Sequence, residues 1–380
     1  MFDMEDYRLA DPESLITPCL LVYPKLIREN LAEMVRIAGS PERLRPHVKT
    51  HKTPQIVHME IDAGITKHKC ATLAEARMLA QCDVPDVLIA YPQIGPAVQR
   101  LAELVDEFPN TRFSTVVDNP ASLQQLENAF VQRAGRLDVL LDIDTGMHRT
   151  GIELGQGADE LYRHLSSSSV LGAGGLHVYD GQNHQPDQQQ RRAAVEALFA
   201  QVLAMVDRLS ASGVQIRKLV CGGTPSFPAF ASLAAARPEL VIEFSPGTYV
   251  LADANYLRNY RDMPGFKPAA VLLTRVISRP CANSSPCRAT LDLGYKSVAS
   301  DPPAGQRCYF LNLPAAQELQ HNEEHLVVES PEVDQLHVGD VLYVVPAHIC
   351  PTVALHNQLI VVDGGRVTDR WPVVGRERIV

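Results

Sequence analysis

The chain is expected to be an α/β protein, a (β/α)8 barrel of the TIM type followed by a C-terminal, mostly β domain, on three observations. Eight short apolar segments recur between helical stretches across residues 44–246. No glycine-rich dinucleotide fingerprint follows the early ones, which weighs against a doubly wound open sheet. After Pro264 helical spacing gives way to extended segments broken by Gly-Asp and Gly-Gly turns. At 380 residues, 46% of them hydrophobic, the chain can fill two cores. The division expected is 17–262 for the barrel and 263–380, joined by residues 1–16, for the β-rich domain.

Taken in order, residues 17–23 read as an apolar strand, and Leu26, Ile27, Leu31, Met34 and Val35 mark a helix face. The barrel strands are expected at 44–49, 66–72, 86–91, 112–118, 137–143, 171–178, 218–221 and 241–246. The clearest helix places Val195, Leu198, Phe199, Val202, Leu203, Val206 and Leu209 on one side. Beyond Pro264, strands are expected at 267–278, 288–297, 307–313, 324–329, 340–346 and 358–363.

A net charge of −9 with scattered basic residues argues against a phosphate-backbone binder, so no nucleic-acid partner is expected. Met1-Phe2-Asp3-Met4-Glu5-Asp6 is acidic and carries no signal pattern, and no run of about 18 apolar residues occurs. The expectation is a cytoplasmic protein with no membrane partner. Eight cysteines with no CxxC pair suit buried or ligand thiols rather than a disulfide framework.

In such a barrel the carboxyl ends of the strands form the active-site rim. Lys49 follows the first strand and is a candidate Schiff-base former, although this segment alone reads more readily as a loop with two ordinary lysines, Lys49 and Lys52. Asp144-Thr145-Gly146-Met147-His148-Arg149 follows the fifth strand, and His177-Val178-Tyr179-Asp180-Gly181 ends the sixth. Cys221-Gly222-Gly223-Thr224-Pro225-Ser226 ends the seventh, and Ser245-Pro246-Gly247-Thr248-Tyr249 the eighth. Glycines beside hydroxyl residues in the last two loops let backbone N–H groups approach a phosphate. A phosphate site facing a lysine suits one cofactor, pyridoxal 5'-phosphate. Tyr179, Gly222, Gly223, Thr224, Gly247 and Thr248 are the candidate contacts. His177 is placed to stack on the ring, Arg149 to reach the phenolic oxygen and Tyr256 to face the ring nitrogen. Each of these three also reads singly as a structural residue.

A second candidate site is His348-Ile349-Cys350. On an extended segment, residues two apart project to one side, so imidazole and thiolate can share a cation. Two protein ligands with open positions suit a catalytic rather than a structural metal. A strand-end histidine and a buried cysteine remain the plain alternative.

These motifs resemble the metal-activated branch of the fold-type III, alanine-racemase-like pyridoxal-phosphate enzymes, the group of D-threonine aldolase, D-serine dehydratase and D-threo-3-hydroxyaspartate dehydratase. The resemblance is carried by Pro46-His47-Val48-Lys49-Thr50-His51-Lys52, Asp144-Thr145-Gly146 with Arg149-Thr150-Gly151, and Gly175-Leu176-His177-Val178-Tyr179-Asp180-Gly181. Gly222-Gly223-Thr224-Pro225, Glu323-Glu324-His325 and His348-Ile349-Cys350-Pro351-Thr352 complete it. It implies that Lys49 is the Schiff-base and catalytic lysine, that His177 lies at the ring, and that Arg149 and Tyr256 contact the cofactor, with Tyr249 the rival for the tyrosine. It also implies that His348 and Cys350 hold a divalent metal, and that the protein is a homodimer. Members with His-x-Cys are dehydratase-like, whereas D-threonine aldolases tend to carry His-x-Asp. The thiolate favours zinc, and manganese or another divalent ion is compatible.

The reaction so implied is loss of water from a D-3-hydroxy amino acid, giving a 2-oxo acid and ammonia: oxaloacetate from D-threo-3-hydroxyaspartate, or pyruvate from D-serine. The alternative is aldol cleavage to glycine and an aldehyde, with His184 as a candidate base. A non-catalytic pyridoxal-phosphate carrier is a third reading, opposed by residues 265–380, since such carriers lack a β-domain with a metal pair.

Overall fold

The computed structural model describes residues 4–133, 135–280 and 288–378. Cys281 and Cys287, counted among the cysteines, and the first three residues of the acidic N-terminus lie outside them. The other six cysteines are free thiols.

The chain divides into two compact units. The first comprises Met34–Lys49, Ile56–Gly247 and Glu377–Val380; the second comprises Met1–Glu33, Thr50–Gln55 and Thr248–Arg376. In the first, seven parallel strands run in the order Lys67–Cys70, Asp86–Ile89, Arg112–Val117, Asp138–Asp144, Gly172–Val178, Lys218–Cys221 and Val241–Phe244. A short strand, Ile152–Glu153, pairs beside Asp138–Asp144. The sheet closes through residues 44–48. The N–H of Arg45 donates to Phe244 O (2.8 Å) and that of His47 to Pro246 O (3.1 Å), while Val48 N–H and Lys69 N–H donate to Lys69 O and Pro46 O (both 2.9 Å). The expected first strand is therefore present only as two isolated bridges, at Leu44 and His47, with a turn from Val48 onward. Pro46 has no N–H to give to a ladder, which accounts for the interruption.

Leu88, Val116, Leu140 and Val220, from four of these strands, pack as one apolar cluster. At the strands' amino ends the fully buried Arg45 guanidinium lies between Glu243 (2.6 Å) and Asp86 (2.8 Å). The wide depression lined by Lys67, Asp86, Arg112, Lys218 and Glu243 also opens at this end, where barrels hold stability rather than chemistry.

In the second unit, a nine-stranded sheet runs Gln317–His321, Leu326–Glu329, Arg288–Leu291, Ala270–Ser278, Cys19–Val22, Gln358–Asp363 and Arg366–Pro372. Val341–Pro346 and Cys308–Phe310 branch from Ala270–Ser278. Here the structure corrects the expected boundary. Cys19–Val22 pairs with Ala270–Ser278 and Gln358–Asp363, so residues 17–33 belong to the β-rich unit and not to the barrel, as do residues 50–55 and 248–262. An apolar strand reads alike in either sheet, and its sequence order placed it with the wrong one. Two strands were not expected at all. Gln317–His321 is polar and largely exposed, and Arg366–Pro372 is an edge strand with only Trp371 buried, so neither shows an apolar face.

Candidate active site

The rim of the barrel gathers most of the residues expected there. Asp142 and His177 are direct partners in the parallel pairing of their strands, and His177 Nδ1 lies 2.6 Å from Asp142 Oδ1. The register is set by a bulge at Gly174-Gly175. Gly175 has φ +107°, and a Cβ there would meet Lys218 O at 2.0 Å, so only glycine fits. Asp142 Oδ2 accepts from the Thr150 hydroxyl at 2.9 Å. Burial pulls the His177 pKa down and leaves the ring neutral, with Nδ1–H donating to Asp142. Burial works against the Asp142 carboxylate, but the His177 contact holds its pKa below the ordinary value. His177 Nε2 is buried and has no hydrogen-bond partner among the described residues.

Lys49 is half-buried, and its N–H donates to His47 Nδ1 at 3.3 Å. Lys52, the rival lysine, belongs to the β-rich unit and reaches Gly375 O at 3.5 Å. Tyr179 carries cations over its ring, with Arg149 Cζ 5.0 Å and Lys69 Nζ 5.4 Å from the centroid. The turn after strand Lys218–Cys221 is tightly held. Gly222 has φ +76°, Gly223 N–H donates to Ser226 Oγ (3.1 Å), and Ser226 Oγ–H donates to Asp180 Oδ1 (2.6 Å). Asn183 Nδ2 donates to the other Asp180 oxygen at 3.0 Å, and Gly247 N–H donates to Thr224 Oγ1 at 3.0 Å. Burial pushes Asp180 up to about 7. A Cβ on Gly223 would stand 3.0 Å from the Tyr179 ring, so the turn packs closely under that ring. An unsatisfied imidazole nitrogen, an amine at the rim and glycine turns carrying hydroxyls fit pyridoxal phosphate.

The β-rich unit carries the second set. The segment expected to be extended is not: His348 caps the short helix Ile349–Leu355, and Cys350 lies in its first turn. Pro351 suits that turn because its missing N–H is not needed there. The two side chains nevertheless lie close enough for each to shift the other's pKa. His348 Nδ1 is 2.5 Å from Asp301 Oδ2, and Cys350 Sγ is 3.2 Å from Thr50 Oγ1 and 3.7 Å from Thr248 Oγ1. Burial disfavours the charged imidazole, but Cys350 and Asp301 raise His348 to about 9; burial likewise disfavours the thiolate, but His348 and Thr50 lower Cys350. An imidazole oriented by a carboxylate beside a cysteine thiol fits a divalent cation. Thr248, expected at the phosphate, sits beside this thiol. Among the described residues the one group of three metal-type side chains is Asp144, His148 and Glu153 at the barrel surface.

Tyr249 is a core residue, stacked on Phe266 at 3.9 Å with its hydroxyl on Met263 Sδ, whereas Tyr256 is only half-buried. Asp253 accepts from Tyr256 N–H (3.0 Å) and Ile349 N–H (3.2 Å), and ties the Tyr256 helix to the Cys350 helix. Glu323 and Glu324 of the Glu-Glu-His motif pair with Lys296 at the surface. His184 is exposed, with Nδ1 3.3 Å from Gly181 O. Asp142, Asp180, Lys69, Asp253 and Asp301 were not singled out from sequence. A carboxylate inside an apolar strand was a usable signal for Asp142, but nothing local marks Asp301.

Residues 23–242 match the family model of the alanine racemase N-terminal domain, and residues 269–362 match a serine dehydratase domain model. D-threonine aldolase of an Arthrobacter species is 31% identical over 374 residues, 97% of this chain and 94% of that protein. D-threo-3-hydroxyaspartate dehydratase of Delftia sp. strain HT23 is 25% identical over 365 residues, 89% and 92% of the two chains. The crystal structure of D-threonine aldolase from Filomicrobium marinum superposes with a TM-score of 0.85 at 27% identity, covering 96% of each chain. Among the described residues no helix is long and apolar enough to cross a membrane.

Proposed function

Because this chain belongs to the alanine racemase N-terminal domain family, with a serine dehydratase domain following, we propose that it is a pyridoxal-phosphate- and metal-dependent lyase that dehydrates D-3-hydroxy amino acids. The observation that carries the reading is the His348–Cys350 pair, a metal-type imidazole and thiol beside each other. Held at the Lys49 amine, the cofactor supplies an electron sink for the charge left when a proton leaves Cα. A divalent cation on His348 and Cys350 supplies Lewis acidity to a departing hydroxyl, and the thiolate favours zinc over manganese.

The chain's own residues do the rest. Lys49, freed when substrate takes its place, is the base for the α-proton. The Asp142-held His177 offers a fixed neutral ring, and the Gly222–Ser226 turn with Gly247 binds and orients the phosphate. Arg149 balances negative charge beside Tyr179, and Tyr256 faces the ring nitrogen. Loss of a proton and hydroxide leaves an enamine, which becomes an imine and hydrolyses to a 2-oxo acid and ammonia. A homodimer is part of the same proposal.

Aldol cleavage is the second reading, favoured by the 31% identity to D-threonine aldolase. The purified protein should be assayed with D-serine, D-threonine and both 3-hydroxyaspartate diastereomers, measuring ammonia and aldehyde in parallel. Ammonia with a 2-oxo acid supports dehydration; glycine with an aldehyde overturns it in favour of cleavage.

A further inference from the structure

One buried amine in the barrel, that of Lys69, has no task in the proposed reaction. Lys69 is the third residue of strand Lys67–Cys70, and its backbone pairs with the segment that leads to Lys49. The residue is only 3% exposed. Among the described residues no carboxylate lies within ion-pair distance of its amine and no acceptor takes a hydrogen bond from it. The nearby Asp142 is already committed, to His177 through one oxygen and to Thr150 through the other. Asp180, which also faces this region, is held by Ser226 and Asn183. The charged groups acting on Lys69 are Lys49, Asp142 and Arg45, and its amine lies over the Tyr179 ring, 5.4 Å from the centroid, a ring it shares with Arg149. A buried amine with no hydrogen-bonded or ion-paired partner is costly, and such perturbed groups cluster at functional sites. Burial first, and Lys49 second, bring the Lys69 pKa to about 7, so the amine can take or release its charge at neutral pH.

We propose that Lys69 and Arg149 form a cationic subsite beside Tyr179 that receives an anionic oxygen of the bound ligand. That oxygen comes either from the cofactor's ring hydroxyl or from a carboxylate on the substrate's side chain, as in 3-hydroxyaspartate. The inference rests on the proposed cofactor and substrate class. It assigns to Lys69 a role beyond packing.

The test is Lys69→Met in the holoenzyme, which keeps the apolar stem and removes the charge. Lys69→Gln serves as a second variant, and circular dichroism establishes that each is folded. If the anion is the cofactor's, the visible absorbance of the bound cofactor titrates at a shifted pH and its dissociation constant rises about ten- to a hundredfold. If it is the substrate's, the cofactor spectrum is unchanged. The ratio of kcat/KM for 3-hydroxyaspartate over D-serine then falls by a similar factor, and calorimetric binding of malonate, a non-reacting dicarboxylate, weakens with it. Either result supports the subsite. Wild-type spectrum, titration, substrate ratio and malonate affinity in folded variants overturn it. A wild-type protein that binds malonate through Lys69 but no cofactor contradicts the proposed function and leaves the cationic subsite standing.

Discussion

Asp142 and His177 stand opposite each other in the parallel register of neighbouring barrel strands, with 2.6 Å between carboxylate oxygen and Nδ1. The carboxylate selects the tautomer, so the inner nitrogen, Nε2, is left as a lone-pair acceptor. Asp142→Asn should remove the downfield Nδ1–H proton resonance of His177 and raise the cofactor dissociation constant about tenfold, by the worth of one charge-assisted hydrogen bond. A retained resonance would place the proton elsewhere.

The Asp180–Ser226–Gly223 chain of hydrogen bonds should govern recognition of the phosphate and not of the pyridine ring. Asp180→Ala is expected to weaken pyridoxal phosphate binding about tenfold or more while leaving binding of pyridoxal, which lacks the phosphate, within about twofold. Equal losses for both ligands would mean that the substitution disturbs the whole rim.

At the opposite end of the barrel, Arg45→Met strands Glu243 and Asp86 without their buried guanidinium, and should cost about 3–5 kcal/mol at neutral pH. Burial opposes both carboxylates, but Arg45 holds both pKa values below the ordinary range. Their contribution is therefore complete above that range and is lost as pH falls through the lowered values. The Tm difference between wild type and Arg45→Met should accordingly narrow below about pH 4. A constant difference would assign the loss to packing.

Removal of either metal-type ligand, His348→Ala or Cys350→Ala, should spare the cofactor's visible absorbance but lower ammonia release from D-serine by about a hundredfold or more. D-β-chloroalanine, whose chloride departs without Lewis-acid help, should recover much of the rate in these variants and after chelation. Equal suppression of both substrates would show that the cation holds the fold or the carboxylate instead. Cys350→Asp should retain dehydration with a preference for harder ions.

Much of this arrangement was legible in the sequence because its carriers are local. Glycines beside hydroxyl residues mark Gly222–Ser226, and the alternation of apolar segments with helices marks the barrel. The partner relationships were not legible, since Asp142 with His177 and His348 with Asp301 arise from strand register and loop return across 35 and 47 residues. Cys19–Val22 misled for a related reason: apolarity reports burial, not the sheet in which the strand is buried. Lys69 reads as a plain strand lysine beside Lys67, and only closure of the barrel places one amine inside and leaves the other toward Glu243.

Lys49 is the residue proposed to hold the cofactor. Borohydride reduction of the pyridoxal-phosphate-loaded protein, followed by proteolysis and mass spectrometry, reads the attachment site directly. The reduced pyridoxyl group should be found on Lys49 alone, and Lys49→Ala should abolish both the adduct and turnover. An adduct on Lys69 or Lys52 in the wild-type protein, or undiminished turnover by Lys49→Ala, would contradict the account.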